Sequence, residues 1–313
     1  MNSATPKRFD VLGLGCAAVD DLLYVPKFPA ADQKVRVSRR ARRCGGLTAV
    51  ALVAAARLGA RCAYAGCLGT DDYSEFVAGH FAREGVDISL APRLSEAHVI
   101  HSTIVVGEDT GSRAILFEDA GMIGAHPALP PAEAIRAAAV LFVDHFGVPG
   151  SIRASRLARA AGIPVVGDFE RESDARFGEL LNLADHLILS EEFARWWTRT
   201  ATPAAAAAAL WRTDRAIVIV TAGANGCWSV SAEDGLTPRH HPAFPVKATD
   251  TTGCGDVFHG AYAAGLARGE TLEDRIQMAA AAAALKARDG EIPHRAEVDN
   301  FLQANRPSAR SPH

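Results

Sequence analysis

No stretch of this 313-residue chain runs to about 18 consecutive apolar positions, so no segment reads as a membrane span. An excess of positive charge is missing too. The formal net charge is −3, and nothing in that balance points to nucleic acid. The six cysteines, Cys16, Cys44, Cys62, Cys67, Cys227 and Cys254, form no Cys-x-x-Cys pair and no zinc spacing. Scattered thiols of this kind fit a reducing, cytoplasmic setting. The eleven histidines lack metal-ligand spacing as well, and the adjacent His240 and His241 read as solvated. Met1 to Asp10 is polar before it enters a strand, so it does not read as a signal peptide. There is no internal repeat. No Gly-x-Gly-x-x-Gly turn links the first strand to a helix, which argues against a dinucleotide-binding protein.

Apolar material is plentiful. At 49% hydrophobic, the chain can fill one large α/β core or two smaller ones. Short apolar runs at Phe9–Leu14, Ala63–Leu68, Val140–Val143, Pro164–Val166, His186–Leu189 and Ala216–Val220 alternate with helical stretches. The helix after Gly45-Gly46 is rich in alanine and ends at Gly59. This pattern predicts an α/β fold: a doubly wound, mostly parallel sheet with helices on both faces. Two segments break the alternation. Lys34–Arg43 is basic and alternating, and His98–Glu118 reads as a hairpin around Glu108-Asp109-Thr110-Gly111. Together they predict a small β-sheet lid over 34–43 and 98–118, beside a core built from 1–33, 44–97 and 119–305. The tail, 306–313, is expected to be disordered. The alanine run Ala204–Ala209 carries no functional reading.

Polar residues recur where strands end. Asp20 and Asp21 follow the first strand; Asp144 and His145, Asp168 and Glu170, and Ser190, Glu191 and Glu192 follow later ones. Thr221 to Gly226 is a glycine-rich loop suited to a nucleotide. Each alone reads first as cap or turn chemistry. Their recurrence on one rim favours a polar ligand cleft, because ligands of open α/β sheets bind beyond the carboxyl ends of the strands. Gly45-Gly46 is either a tight turn or a close approach of backbone to a small polyol. Asp20 is a good acceptor for vicinal hydroxyls.

The densest signal is Asp250-Thr251-Thr252-Gly253-Cys254-Gly255-Asp256, followed by a small-residue helix. Free N–H groups and the dipole at a helix start favour an anion such as phosphate. A carboxylate there repels phosphate. It makes sense if Asp256 takes a proton from a hydroxyl that attacks that phosphate. The alternative is an ordinary Asp capping a helix.

This run resembles the D-T-x-G-A-G-D signature of the ribokinase-like sugar kinases, the PfkB carbohydrate kinase family, with Cys254 where Ala is usual. Gly45-Gly46 through Ala54, Arg57, Leu58 and Gly59 resembles the family's N-terminal signature, continued by Gly66–Asp72 and Gly85-Val86-Asp87. Thr221-Ala222-Gly223 to Gly226 resembles its nucleotide loop. The resemblance spans about Phe9 to Leu302. It implies an ATP-dependent kinase acting on a sugar hydroxyl, with Asp256 as base and the amides of Gly253, Cys254 and Gly255 as anion hole. By the same analogy Thr221, Gly223 and Gly226 line the nucleotide, and Asp20, Gly45, Gly46 and His145 hold the sugar. Glu191, Glu192 or Asp168 would hold Mg2+, and a monovalent cation such as K+ would sit near Asp250 and Gly290. The lid implies a homodimer, with Asp32 near the partner's site. Three positions depart from the pattern. Val50 replaces a sugar-contacting Asn, Ser190-Glu191-Glu192-Phe193 replaces N-x-x-E, and Asp168-Phe169-Glu170-Arg171-Glu172 only partly follows D-x-N-x-R. A nucleoside or other small-alcohol kinase of the same fold, or a non-catalytic sugar or nucleotide sensor, remains the alternative.

Overall fold

A computed structural model describes residues 7–110 and 112–305. The expected disordered tail, the first six residues and Gly111 of the expected hairpin turn lie outside the described residues. In chain order the elements are β1 (Phe9–Leu14), β2 (Ala18–Val25), β3 (Arg39–Gly45), α1 (Leu47–Arg57), β4 (Cys62–Tyr64), α2 (Asp72–Arg83), β5 (Ile100–Gly107), β6 (Arg113–Glu118), α3 (Ala132–Arg136), β7 (Ala138–Asp144), α4 (Val148–Ala160), β8 (Val165–Phe169), α5 (Phe177–Leu183), β9 (His186–Ser190), α6 (Glu191–Thr198), α7 (Pro203–Leu210), β10 (Ile217–Thr221), β11 (Cys227–Ser231), β12 (Arg239–His241), α8 (Cys254–Ala267), α9 (Leu272–Asp289) and α10 (Arg295–Ala304).

The main sheet has eight strands in the order β12-β11-β10-β9-β8-β7-β1-β4. From β4 to β10 every pairing is parallel; β11 and β12 add an antiparallel edge that the sequence pattern does not reveal. The central strands are apolar on both faces because both faces are covered. Val11 joins one core with α1, α2, α8 and α9, whereas its neighbours Leu12 and Leu14 join the opposite core with α3 to α7. The expected doubly wound α/β sheet is therefore present. The strand expected over 63–68 shortens to β4.

A second sheet of four strands has the order β3-β2-β5-β6. Here the structure redraws the expected boundary. β2, placed in the core by its sequence position, is a central strand of the small sheet, pairing antiparallel with β3 and parallel with β5. Lys34–Ser38 is not strand; β3 begins at Arg39 and runs through Gly45. The β5–β6 hairpin forms as expected.

Candidate active site

The carboxyl ends of the parallel strands bring the expected rim together. Asp144 stands opposite Asp168 in the β7–β8 register, and Ser190 opposite Thr221 in β9–β10. Asp20 and Asp21 are the exception. They belong to β2 in the small sheet rather than to the rim; Asp20 lines the cleft, whereas Asp21 points to the other face and pairs with Arg42 at 2.7 Å.

α8 starts on Gly253, whose left-handed backbone (φ 76°) turns the chain into the helix. The Cys254 N–H bends back to the Thr251 carbonyl at 3.3 Å, so it is partly used within the loop. Gly255 is exposed, with open space where a side chain would stand. A Cβ on Gly253 would lie 3.6 Å from Oδ2 of Asp256 and 3.7 Å from Cγ1 of Val50, so Val50 abuts the anion turn itself. The Cys254 thiol is pushed up to about 11, chiefly by burial, and stays protonated at neutral pH. α8 is held against α1 at backbone distance, since a Cβ on Gly260 would come within 2.1 Å of the Ala51 carbonyl oxygen.

Asp256 lies in a field of carboxylates. Burial, then the charges of Asp168 and Glu170, push its carboxyl well above the ordinary range. Asp168 is buried, is raised in the same way, and has an Oδ2 with no hydrogen-bond partner. Asp144 is tied into the fold: its Oδ2 accepts from the Cys16 N–H and the Thr48 hydroxyl, both at 2.7 Å, and its Oδ1 from the Phe146 N–H at 2.8 Å. Burial still lifts it to about 6.

One group opposes this negative field. His259, one turn beyond Asp256 on α8, places Nδ1 2.7 Å from the Gly255 carbonyl and Nε2 3.0 Å from the Ile188 carbonyl. Both carbonyls are acceptors facing the ring nitrogens, and the charge of His259 lowers the Asp256 carboxyl against its acidic neighbours. Its Nδ1 is also 3.4 Å from Oδ2 of Asp168. Sequence reasoning missed His259, although three-residue spacing from Asp256 on one helix was the available signal.

The expected sugar residues divide. Asp20 sits between Arg43 on β3 and Ser102 on β5, and burial raises its carboxyl despite both neighbours. A Cβ on Gly45 would lie 2.3 Å from Oδ2 of Asp20, so that glycine lets the carboxylate approach the backbone. Gly46 (φ 95°) starts α1 and packs on Ala17, where a Cβ would meet Cα at 2.7 Å. His145 is buried, its ring pushed down to about 3 by burial and then by Arg171, hence neutral. Asp32 lies in an exposed turn between β2 and β3 and does not line the cleft. That cleft, about 720 Å³, opens between the small sheet and the loop 249–252, with Asp20, Arg43, Arg113, Asp250, Thr252 and Gly290 in its wall. Arg113 reaches the Thr252 hydroxyl.

In the expected nucleotide loop, Thr221 ends β10 and Gly223–Asn225 form a 3-10 turn. Gly226 (φ 81°) is required by packing, because a Cβ would sit 2.0 Å from the His241 carbonyl oxygen. Ser190 caps α6 by accepting from the Phe193 N–H. Glu191 turns to Arg195 at 3.1 Å, while Glu192 is exposed and adds its charge to the field at Glu170. Among the described residues, no three His, Cys, Asp or Glu side chains converge to hold a metal, and no helix is long and apolar enough to cross a membrane.

A family model described as "pfkB family carbohydrate kinase" matches residues 10–291, and the chain belongs to that family. It is similar to the ribokinase of Haemophilus influenzae, at 28% identity over 302 residues that span 93% of this chain and 97% of that one. It also resembles the ketohexokinase of Mus musculus, at 22% identity over 282 residues, 85% of this chain and 92% of that one. A solved structure from Agrobacterium tumefaciens superimposes with a TM-score of 0.86 at 26% identity, covering 96% of this chain and 98% of the other. The ribokinase of Arabidopsis thaliana, solved with ribose and ATP, shares the fold with a TM-score of 0.82 at 22% identity over 94% of this chain and 99% of that one. The expected fold and family are borne out.

Proposed function

We propose that this chain transfers the γ-phosphoryl group of ATP to a hydroxyl of a small sugar. The observation that carries the reading is Asp256, a carboxylate with a raised proton affinity in the first turn of a helix opened by Gly253. In the step, the sugar O–H gives its proton to the Asp256 carboxylate as its oxygen attacks the γ-phosphorus. An O–P bond forms, the bond to the bridging oxygen of ADP breaks, and ADP leaves with that electron pair. Amides at the start of α8, chiefly those of Gly253 and Gly255, face the charge that builds on the transferring group. Asp20, beside Gly45 and Gly46, accepts from sugar hydroxyls, with His145 as a neutral partner. Thr221, Gly223 and Gly226 border the nucleotide.

The donor set fits Mg2+ carried mainly by phosphates and water, which needs only one or two hard carboxylates. Asp168 carries a buried oxygen without a partner, and Glu192 stands free of the ion pair that occupies Glu191. These two would hold the ion, which when bound neutralises phosphate charge. Two copies would pair through the small sheets, carrying Asp32 toward the neighbour's cleft.

An ADP-release screen over pentoses, hexoses, ketoses and nucleosides tests the reading. A sugar should give the highest turnover. Asp256→Asn should keep ATP binding and lose roughly 10²–10⁴-fold in rate. A variant near wild-type turnover, or a nucleoside preferred over every sugar, defeats it. Glu192→Gln, in the same assay, should raise the Mg2+ concentration needed for half-maximal rate; an unchanged requirement removes Glu192 from the metal's surroundings.

A further inference from the structure

The family resemblance implies a monovalent cation near Asp250 and Gly290, and the residues at that place do not fit one. Both oxygens of the Asp250 carboxylate are already engaged. Its Oδ1 accepts from the Thr252 N–H at 3.0 Å. Its Oδ2 faces the Arg43 guanidinium at 3.2 Å and the Lys286 ammonium at 3.5 Å. Burial alone would raise this carboxyl, but the Thr252 N–H and the Lys286 and Arg43 charges outweigh it and hold it below the usual range.

Lys286 is the unusual partner. Its side chain is only 8% exposed, and Nζ has no hydrogen-bond partner. A buried ammonium is costly without compensation, and truncating it to a hydrocarbon would remove that cost. Lys286 belongs to the last turn of α9, where the helix dipole presents its negative end. The loop that carries Asp250 docks on that end, with the N–H groups of Thr249 and Asp250 both meeting the Ala287 carbonyl, at 2.7 and 3.2 Å. A negative carboxylate and a negative helix end thus converge immediately before the anion turn at Gly253. One positive charge belongs between them. The field of Lys286 also reaches Cys254, where it lowers the thiol against the rise caused by burial, so its charge is felt at the turn itself.

We propose that the Lys286 ammonium is a built-in monovalent cation, holding the Asp250 loop in the place where a free K+ would otherwise bind, so that turnover needs no added K+. An ammonium carries the charge of K+ and is close to it in size. With Lys286 and Arg43 both on Asp250, a third cation would meet repulsion rather than a site.

The inference rests on the phosphoryl-transfer reading, and its test separates the two. The full-length enzyme is assayed with Mg-ATP and its best sugar at constant ionic strength, first in tetramethylammonium chloride and then in KCl. Melting temperature is followed in the same two salts without substrate. The wild type should give the same rate and the same melting temperature in both. Lys286→Met should lose on the order of tenfold in rate in tetramethylammonium, as expected for removal of one fixed charge near the transferring group. K+ or NH4+ should restore much of that loss and raise the variant's melting temperature. Wild-type turnover that climbs severalfold on adding K+, a Lys286→Met rate unchanged without K+, or a loss that no monovalent cation restores, each overturns the proposal. Should Lys286→Met not fold, the wild-type comparison alone decides. Absence of turnover on any sugar would count against the phosphoryl-transfer reading, while the melting comparison would still report on the cation.

Discussion

At the scale of single residues, the proposed chemistry turns on charge balance around Asp256. Asp144 on β7, Asp168 on β8 and Glu170 just beyond it all raise its proton affinity, and His259 on α8 itself lowers it. A base works only when ionised, so kcat/KM should fall on the acid side as Asp256 takes up its proton, at a pH above the ordinary carboxylate range. Removing His259 takes away that lowering and moves the midpoint further up. His259→Asn should therefore show a ratio to wild type that is lowest at acid pH and recovers as pH rises. Profiles of kcat/KM with coincident midpoints would show that His259 serves structure alone. Asp256 was legible because its whole setting, glycines included, lies within seven consecutive letters. His259 and Lys286 were not, because what makes them matter is remote: the Ile188 carbonyl for one, and the Asp250 carboxylate across α8 and most of α9 for the other.

At the scale of elements, the small-residue helix after Asp256 reads from sequence as packed close to something, and α1 is that partner, with Gly260 lying on the Ala51 carbonyl. β2 escaped the reading. Its residues, AVDDLLYV, are mostly half-buried on both faces, so neither clean alternation nor a solid apolar run appears. Its membership in the small sheet is fixed by pairing with β5, a partner no local pattern announces. β6 is the edge of that sheet and exposes Ile115, Leu116 and Phe117, each at least half accessible. Exposed apolar edges of this kind invite pairing, and two-fold association is the commonest outcome. Light scattering at micromolar concentration should therefore report a dimer, and Phe117→Glu should shift it to monomer. A wild-type monomer with and without substrate defeats the dimer.

At the scale of the whole molecule, the α/β alternation made the parallel part of the main sheet, β4 to β10, readable, since each buried parallel strand is a compact apolar word between helices. The antiparallel edge strands β11 and β12 and the layout of the second sheet were beyond it, because strand order is a property of distant contacts. That layout also sets how much chain each pairing must close. The chain leaves β1, forms β2 and β3, and then lays down α1, β4 and α2 before β5 arrives to pair with β2. Closing that loop costs entropy that only the finished contacts return, as does the longer loop that brings β7 beside β1. Asp20 lies on the β2–β5 pairing, opposite Ser102, whereas Asp256 lies on a helix packed into the main core. The proposed substrate contact and the proposed base thus stand on parts of the fold that need not open together. The small sheet is also the less covered of the two, with β2 half-buried and β6 exposed where β1 and β7 are buried, so β2 and β5 should open more readily. Amide exchange should be faster along β2 and β5 than along β1 and β7; equal protection would mean that the two sheets form and open as one unit.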